Sequence, residues 1–173
     1  NIIKKMIYKL STKEITDIMN QINNNSPMTV TDPNMTRFLM TLDDAVELVL
    51  FAFNKGENGD IFVQKSPASD IKTLVSAIKR YMDVENYPVE IIGTRHGEKL
   101  HETLLSREEL AVASDLDNFY KISPDFRDLN YENFYEAGTK IESSNDYNSS
   151  NTHQLKEDEI IKLLQKVEIK TSD

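Results

Sequence analysis

A short apolar run, Val89-Glu90-Ile91-Ile92, opens into Gly93-Thr94-Arg95-His96-Gly97-Glu98-Lys99-Leu100-His101-Glu102. The run reads as the end of a strand delivering a loop. Two of the chain's five glycines stand in this loop, four residues apart. Glycine lets backbone N–H groups approach a ligand closely. Beside the glycines come a guanidinium, an imidazole, a carboxylate and an ammonium. Arginine grips phosphate in a planar, bidentate fork, and a nearby carboxylate can accept hydrogen bonds from sugar hydroxyls. The stretch reads as a cradle for a nucleotide or sugar phosphate. The same residues also fit a solvated polar loop between a strand and a helix.

The rest of the chain supplies short strands and amphipathic helices. Ser11-Thr12-Lys13-Glu14 has capping-box form and predicts a helix over about 12–22, with Ile15, Met19 and Ile22 on one face. Asn23-Asn24-Asn25-Ser26-Pro27 ends it. Met28–Thr31 and Arg37–Met40 read as short extended pieces. Thr41 is placed to cap a helix over 42–54 whose buried face is read as Ala45, Val46, Val49, Leu50 and Phe53, with Gly56 as its stop. Ile61-Phe62-Val63 reads as a buried strand. Ser69 is placed to cap a helix reaching Tyr81, with Ile71, Leu74, Val75 and Ile78 inward. Lys99–Leu105 is expected to be helical, and Ser106–Glu109 to cap a further short helix. From Ala113 to Asn130 the pattern is loop-like, with Phe119, Tyr120 and Phe126 as anchors and Ile122 in a short strand. The Ser/Asn-rich stretch 138–152 leads to a terminal helix over 155–167.

Composition narrows the function. The 173 residues suit one domain with a tail, long enough for a real core. The net charge of −9 disfavours a nucleic-acid or anionic-membrane surface, so any phosphate site must be local. No cysteine is present, which excludes disulfides and thiolate metal sites. No apolar run approaches the ~18 residues of a membrane span. The N-terminus has no signal-peptide form, so the cytoplasm is the expected compartment. His96 and His101 share no helical face and no His-Glu-x-x-His occurs, so no metal site is expected. No serine is flanked by nucleophile-elbow glycines.

The run Gly93–Glu102 closely resembles the C-terminal domain of nucleotide-sugar 4,6-dehydratases and epimerases of capsular polysaccharide biosynthesis. These form the CapD/CapE-like branch of the extended short-chain dehydrogenase/reductase superfamily. Four more stretches are similar in order: Met28–Pro33, Met35–Met40, Gly59–Lys65 and Arg127–Tyr131, with a weaker match over Asp146–Thr152. The resemblance spans about residues 15–167. It implies an α/β fold class, the substrate-binding C-terminal lobe of an extended reductase lacking most or all of the Rossmann domain. The implied organisation is an unmatched segment 1–14, a nucleotide-sugar-binding lobe 15–137, and a latch-like tail and helix 138–173.

By the same resemblance, Arg37 and Arg95 match diphosphate-binding arginines and Glu98 matches the acid that binds ribose hydroxyls. Met28, Thr29 and Val30 lie on the strand that lines the uracil. His96, Lys99 and Glu102 are expected to shape the loop. Arg37 could equally be a surface arginine at a strand end. The implied partners are a UDP-sugar and either a Rossmann-domain chain or a second copy engaged through the tail, with neither nucleic acid nor membrane. Ser150 stands where relatives commonly have His, a departure within the tail match.

The family's cofactor is NAD or NADP, but none is expected in this chain. The glycines, at 56, 59, 93, 97 and 138, form no dinucleotide fingerprint. No tyrosine is followed by lysine four residues on. These residues are therefore expected not to transfer hydride unaided. A non-catalytic interaction or oligomerisation module is the alternative reading.

Overall fold

The computed structural model describes residues 12–124 and 145–166. In chain order the elements are α1 (Thr12–Asn23), β1 (Met28–Val30), β2 (Thr36–Phe38), α2 (Leu42–Lys55), β3 (Ile61–Gln64), β4 (Ala68–Asp70) and α3 (Ile71–Tyr81). They continue with β5 (Val89–Ile91), β6 (Thr103–Leu105), α4 (Arg107–Val112), β7 (Ser114–Leu116), β8 (Phe119–Ile122), β9 (Tyr147–Asn148) and α5 (Glu157–Lys166). The Arg127–Tyr131 stretch, Phe126, Val167 and the first part of the polar tail lie outside the described residues. The fold is mixed α/β with sheets of two and three strands. The described residues fall into two compact units, one from 12–41, 66–102 and 149–166, the other from 42–65, 103–124 and 145–148.

The first unit carries the cradle. Its core joins Met19 and Ile22 of α1, Met28 and Val30 of β1, Leu39, the inner face of α3 (Leu74, Val75, Ala77, Ile78) and Leu155, Ile160 and Leu164 around α5. Each of the Val, Leu, Ile and Met side chains contributes roughly 1.5–3 kcal/mol when fully buried. The expected inward face of α1 is therefore the observed one. Ser26 N donates to Gln21 O at 2.8 Å, closing the end of α1, while Asn25 takes the left-handed φ of 54°. Asparagine tolerates that conformation better than most side chains. β1 pairs β5 in parallel, with Val30 opposite Ile91. β2 pairs β4 antiparallel, with Arg37 opposite Ser69.

The cap of α3 differs from expectation. Ser69 lies within β4, and Asp70 is the cap, its carboxylate accepting from Thr73 N at 2.6 Å. Both residue types cap helices well; β4 runs through Asp70 to its pairing with Thr36, so the helix begins one residue later than expected, at Ile71.

In the second unit β8 is central, pairing antiparallel with β3 and with β7. α2 covers this sheet through Leu48, Phe51 and Ala52, which pack on Phe62 and Phe119. The Phe51 and Phe119 rings stack at 4.3 Å. This corrects the expected face of α2. Ala45 is buried as expected, but Val46, Leu50 and Phe53 are 49%, 57% and 74% exposed. The helix carries two apolar stripes, and the stripe with Leu48 and Phe51 is the one the sheet covers. A Cβ on Gly56 would stand 2.5 Å from Ala52 O, so glycine ends α2 for want of space.

Two further corrections concern residues 99–122. The segment expected as a helix over Lys99–Leu105 is a loop followed by β6, which pairs antiparallel with β9 of the tail. The region from Ala113 is not loop-like but a β7–β8 hairpin. The capping box of α4 is as expected, with Ser106 Oγ accepting from Glu109 N at 3.2 Å and Glu109 accepting from Ser106 N at 2.9 Å. Among the described residues no helix is long and apolar enough to cross a membrane.

Candidate functional site

A cleft of about 290 Å³ opens beside β1 within the first unit. Its lining includes Gln21 of α1, Thr29 and Val30 of β1, Arg37 of β2, and Arg95 and Glu98 of the loop after β5. Five of the six expected site residues thus meet at one cavity. The sixth, Met28, has a fully buried side chain in the core. Through its side chain it supports β1 from behind and takes no part in the lining.

The loop owes its shape to its glycines. Gly93 and Gly97 have φ of 81° and 83°, in the left-handed region, and nothing lies within 4 Å of a Cβ built on either. Backbone conformation alone requires glycine there. The loop leads into β6. Among the described residues this loop therefore offers no helix N-terminus of the kind that receives a dinucleotide pyrophosphate.

The two arginines differ sharply. Arg37 is 7% exposed, not the surface residue that its strand-end position allowed. Its Nη1 donates to Thr36 O at 2.9 Å and Lys99 O at 3.0 Å, with Leu100 O at 3.4 Å. Its Nη2 lies 3.1 Å from Met35 Sδ and 3.6 Å from Glu98 Oε1, and its Nε lies 3.9 Å from Glu102 Oε1. Buried charge needs this density of acceptors, since an unpaired one would cost several kcal/mol. Arg95 is exposed, and among the described residues its guanidinium has no partner.

Glu98 connects the two. Its Oε2 accepts from Arg95 N at 3.2 Å, fixing the turn, while its Oε1 faces Arg37 and accepts from Thr31 Oγ1 at 3.4 Å. Gln21 grips Thr29 twice: Oε1 accepts from the Thr29 N–H at 3.1 Å and Nε2 donates to Thr29 Oγ1 at 2.9 Å. Asp17, one helical turn before Gln21, also lines the cleft. Neither was singled out from sequence. The only available signal was an i, i+4 polar pair flanking the buried stripe of α1. His96 is exposed, whereas His101 is half-buried, its Nδ1 2.7 Å from Thr36 Oγ1. Among the described residues no cluster of His, Cys, Asp and Glu could hold a metal ion.

The mixed α/β fold with its small sheets is that of the C-terminal lobe of an extended short-chain dehydrogenase/reductase. The chain belongs to the polysaccharide biosynthesis protein family, whose model matches residues 15–124. A second model, polysaccharide biosynthesis protein C-terminal, matches residues 125–169. A protein of Rickettsia bellii (strain OSU 85-389) named UDP-glucose 4-epimerase is 51% identical over 147 residues, covering 84% of this chain and 43% of that protein. One of the same name from Rickettsia massiliae (strain Mtu5) is 50% identical with the same coverage. The X-ray structure of Pen from Bacillus thuringiensis superposes with a TM-score of 0.73 at 27% identity, over 90% of this chain and 45% of that one. The chain therefore spans less than half the length of these relatives.

Proposed function

We propose that the cleft binds the nucleoside diphosphate of a UDP-sugar, and that the chain is the nucleotide-sugar-recognising part of a 4-epimerase or 4,6-dehydratase of surface polysaccharide biosynthesis. The observation that carries this is the convergence of Arg37, Arg95, Glu98, Thr29 and Val30 on one cavity from three separate stretches of sequence. Arg37 is already compensated by Glu98 and Glu102. Arg95 then supplies the uncompensated charge that a diphosphate seeks, in a fork suited to phosphate oxygens. Glu98 accepts from the ribose hydroxyls, and the β1 backbone faces the base. No residue described here is assigned to a nicotinamide dinucleotide, and no chemical step is assigned to this chain by itself. Calorimetric titration with UDP and with UDP-N-acetylglucosamine tests the reading. Saturable binding that Arg95→Ala weakens supports it; heat indistinguishable from buffer dilution for both ligands rejects it.

A second reading, an interaction module, is favoured by the exposed stripe Val46, Leu50 and Phe53 on α2. Exposed apolar stripes mark association surfaces. Sedimentation that depends on concentration, and that Phe53→Glu abolishes, would support it; a monomer at all concentrations would count against it.

A further inference from the structure

The tail returns to the cradle at Ser149, whose side chain is fully buried. Its Oγ lies 2.6 Å from Thr36 Oγ1, 3.0 Å from Thr36 O and 2.8 Å from Glu102 N. Ser149 N donates in turn to Glu102 O at 2.8 Å. Thr36 Oγ1 also meets His101 Nδ1 at 2.7 Å. Thr36 N donates to Leu100 O at 2.9 Å, so the same residue holds the loop by its backbone.

Proton counting orders this network. A serine hydroxyl has one proton and two lone pairs. Thr36 O can only accept, and so can the lone pairs that face Glu102 N. If Ser149 donates to Thr36 O, its lone pairs accept from Glu102 N and from the Thr36 hydroxyl. The Thr36 hydroxyl has then spent its proton, so it must accept from His101, whose Nδ1 carries hydrogen. Every contact is satisfied. In the reverse direction Ser149 donates to Thr36 Oγ1 and Thr36 to a bare Nδ1. The 3.0 Å approach of Ser149 Oγ to Thr36 O is then two oxygens with no proton between them. That arrangement is the poorer one in a buried site.

We propose that Ser149 is the positioning residue for Arg37. Its hydroxyl fixes His101 as the Nδ1–H tautomer and ties strand β2 to the 99–102 loop. The link to Arg37 is direct, because Arg37 Nη1 bonds the same Thr36 carbonyl that Ser149 does, together with the Lys99 and Leu100 carbonyls of that loop. Truncating Ser149 removes one hydrogen bond each from Glu102 N, Thr36 Oγ1 and Thr36 O and slackens the carbonyl cage. The tail segment thereby governs how rigidly the buried arginine is presented to the cleft. Any consequence for ligand affinity rests on the UDP reading above; the tautomer and the state of Arg37 do not.

The test uses the full chain with nitrogen-15 label. In the wild type, the imidazole nitrogen shifts of His101 should report the Nδ1–H tautomer, and the Arg37 guanidinium protons should exchange slowly. Ser149→Ala and Thr36→Val should each release the tautomer and speed that exchange, and weaken UDP binding roughly tenfold, the size of one lost hydrogen bond. Thr36→Ser, which keeps the hydroxyl, should retain wild-type behaviour in all three. If Ser149→Ala does not fold, the Thr36 pair and the wild-type tautomer still decide the matter. A wild-type His101 in the Nε2–H form, or Arg37 exchange untouched by Thr36→Val, overturns the proposal. A wild type that shows the expected tautomer and exchange but binds no UDP sustains the positioning role and removes the UDP reading instead.

Discussion

Arg37 and Arg95 border the same cleft and could hardly be more different. Arg37 sits on β2, opposite Ser69 in the sheet, with its charge spread over three carbonyls and two carboxylates. Arg95 stands on a glycine-flanked loop, held by its backbone and, among the described residues, without a partner at its guanidinium. The difference teaches that two arginines at one cleft need not share one job. A buried, caged guanidinium has little entropy left to lose and little uncompensated charge to give. An exposed one keeps its charge but must be ordered when a ligand arrives, at a cost of up to about 2 kcal/mol of side-chain freedom. Arg37 builds the wall of the cleft, and Arg95 leaves its charge exposed at the rim.

The largest expected effect breaks the comparison at its buried end. Arg37→Ala removes the cation that faces Glu98 and Glu102 and takes one donor from each of three carbonyls. Removing one partner of a buried ion pair costs about 3–5 kcal/mol. Urea denaturation followed by circular dichroism should show a loss of that order, with UDP binding lost alongside. A variant as stable as wild type would place Arg37 outside the framework of the fold.

The exposed end gives a smaller and purer effect. Arg95→Ala should leave stability within about 0.5 kcal/mol, as for an ordinary surface substitution. It should weaken UDP binding by roughly 1.5–3 kcal/mol, the usual loss for a charge-assisted contact, or about ten- to over a hundredfold. Arg95→Lys should recover only part, since a point charge lacks the planar fork. Unchanged affinity in Arg95→Ala, with the fold intact, would return the loop to a solvated turn.

How much of this was present in the sequence depends on how local the determinant is. The helix signals of α1, α3 and α4 are local and were readable, as was the strand that delivers Gly93. β6 was not: Thr103 pairs with Asn148, far along the chain, and only that partner makes it a strand. The covered face of α2 was ambiguous because the helix has two apolar stripes, and sequence does not say which one meets a sheet. At the site, Arg37 and Arg95 were identifiable, but the burial of Arg37 was hidden. Its cage is made of backbone carbonyls contributed by Lys99 and Leu100, which no side-chain pattern encodes.

The second unit offers the same contrast on a smaller scale. Asp60 is almost wholly buried, pairs with Lys121 Nζ at 2.8 Å and accepts from Glu57 N at 2.7 Å. Burial pushes its pKa up, but the hydrogen bond from Lys121 and those from Glu57 and Ser123 outweigh it, leaving the carboxyl below its ordinary value. A depressed folded pKa contributes stability that is complete above the unfolded value, near ~3.9, and fades as pH falls through the folded one. Asp60→Asn should therefore cost about 1.5–3 kcal/mol at neutral pH, the worth of a charged hydrogen bond. The gap should narrow below about pH 4. A gap that persists undiminished in acid would mean that packing, not charge, holds Asp60.

The smallest expected effect sharpens the comparison within the loop itself. His96 neighbours Arg95 and is likewise exposed. An imidazole in its neutral form offers a diphosphate a single donor and carries no permanent charge. Its neighbour offers five donors and a permanent charge. Loop geometry gives His96 no compensating advantage, because the turn is set by Gly93, Gly97 and the Glu98 bond to Arg95 N, none of which involves its side chain. His96→Ala should thus leave stability unchanged and cost UDP affinity less than Arg95→Ala does, by an amount on the order of one neutral hydrogen bond, about 0.5–1.5 kcal/mol, at most. Calorimetry on both variants under one buffer decides it. Should His96→Ala prove the more damaging, the anion would be gripped across the middle of the loop rather than at its start, and Arg95 would yield its place as the closing cation.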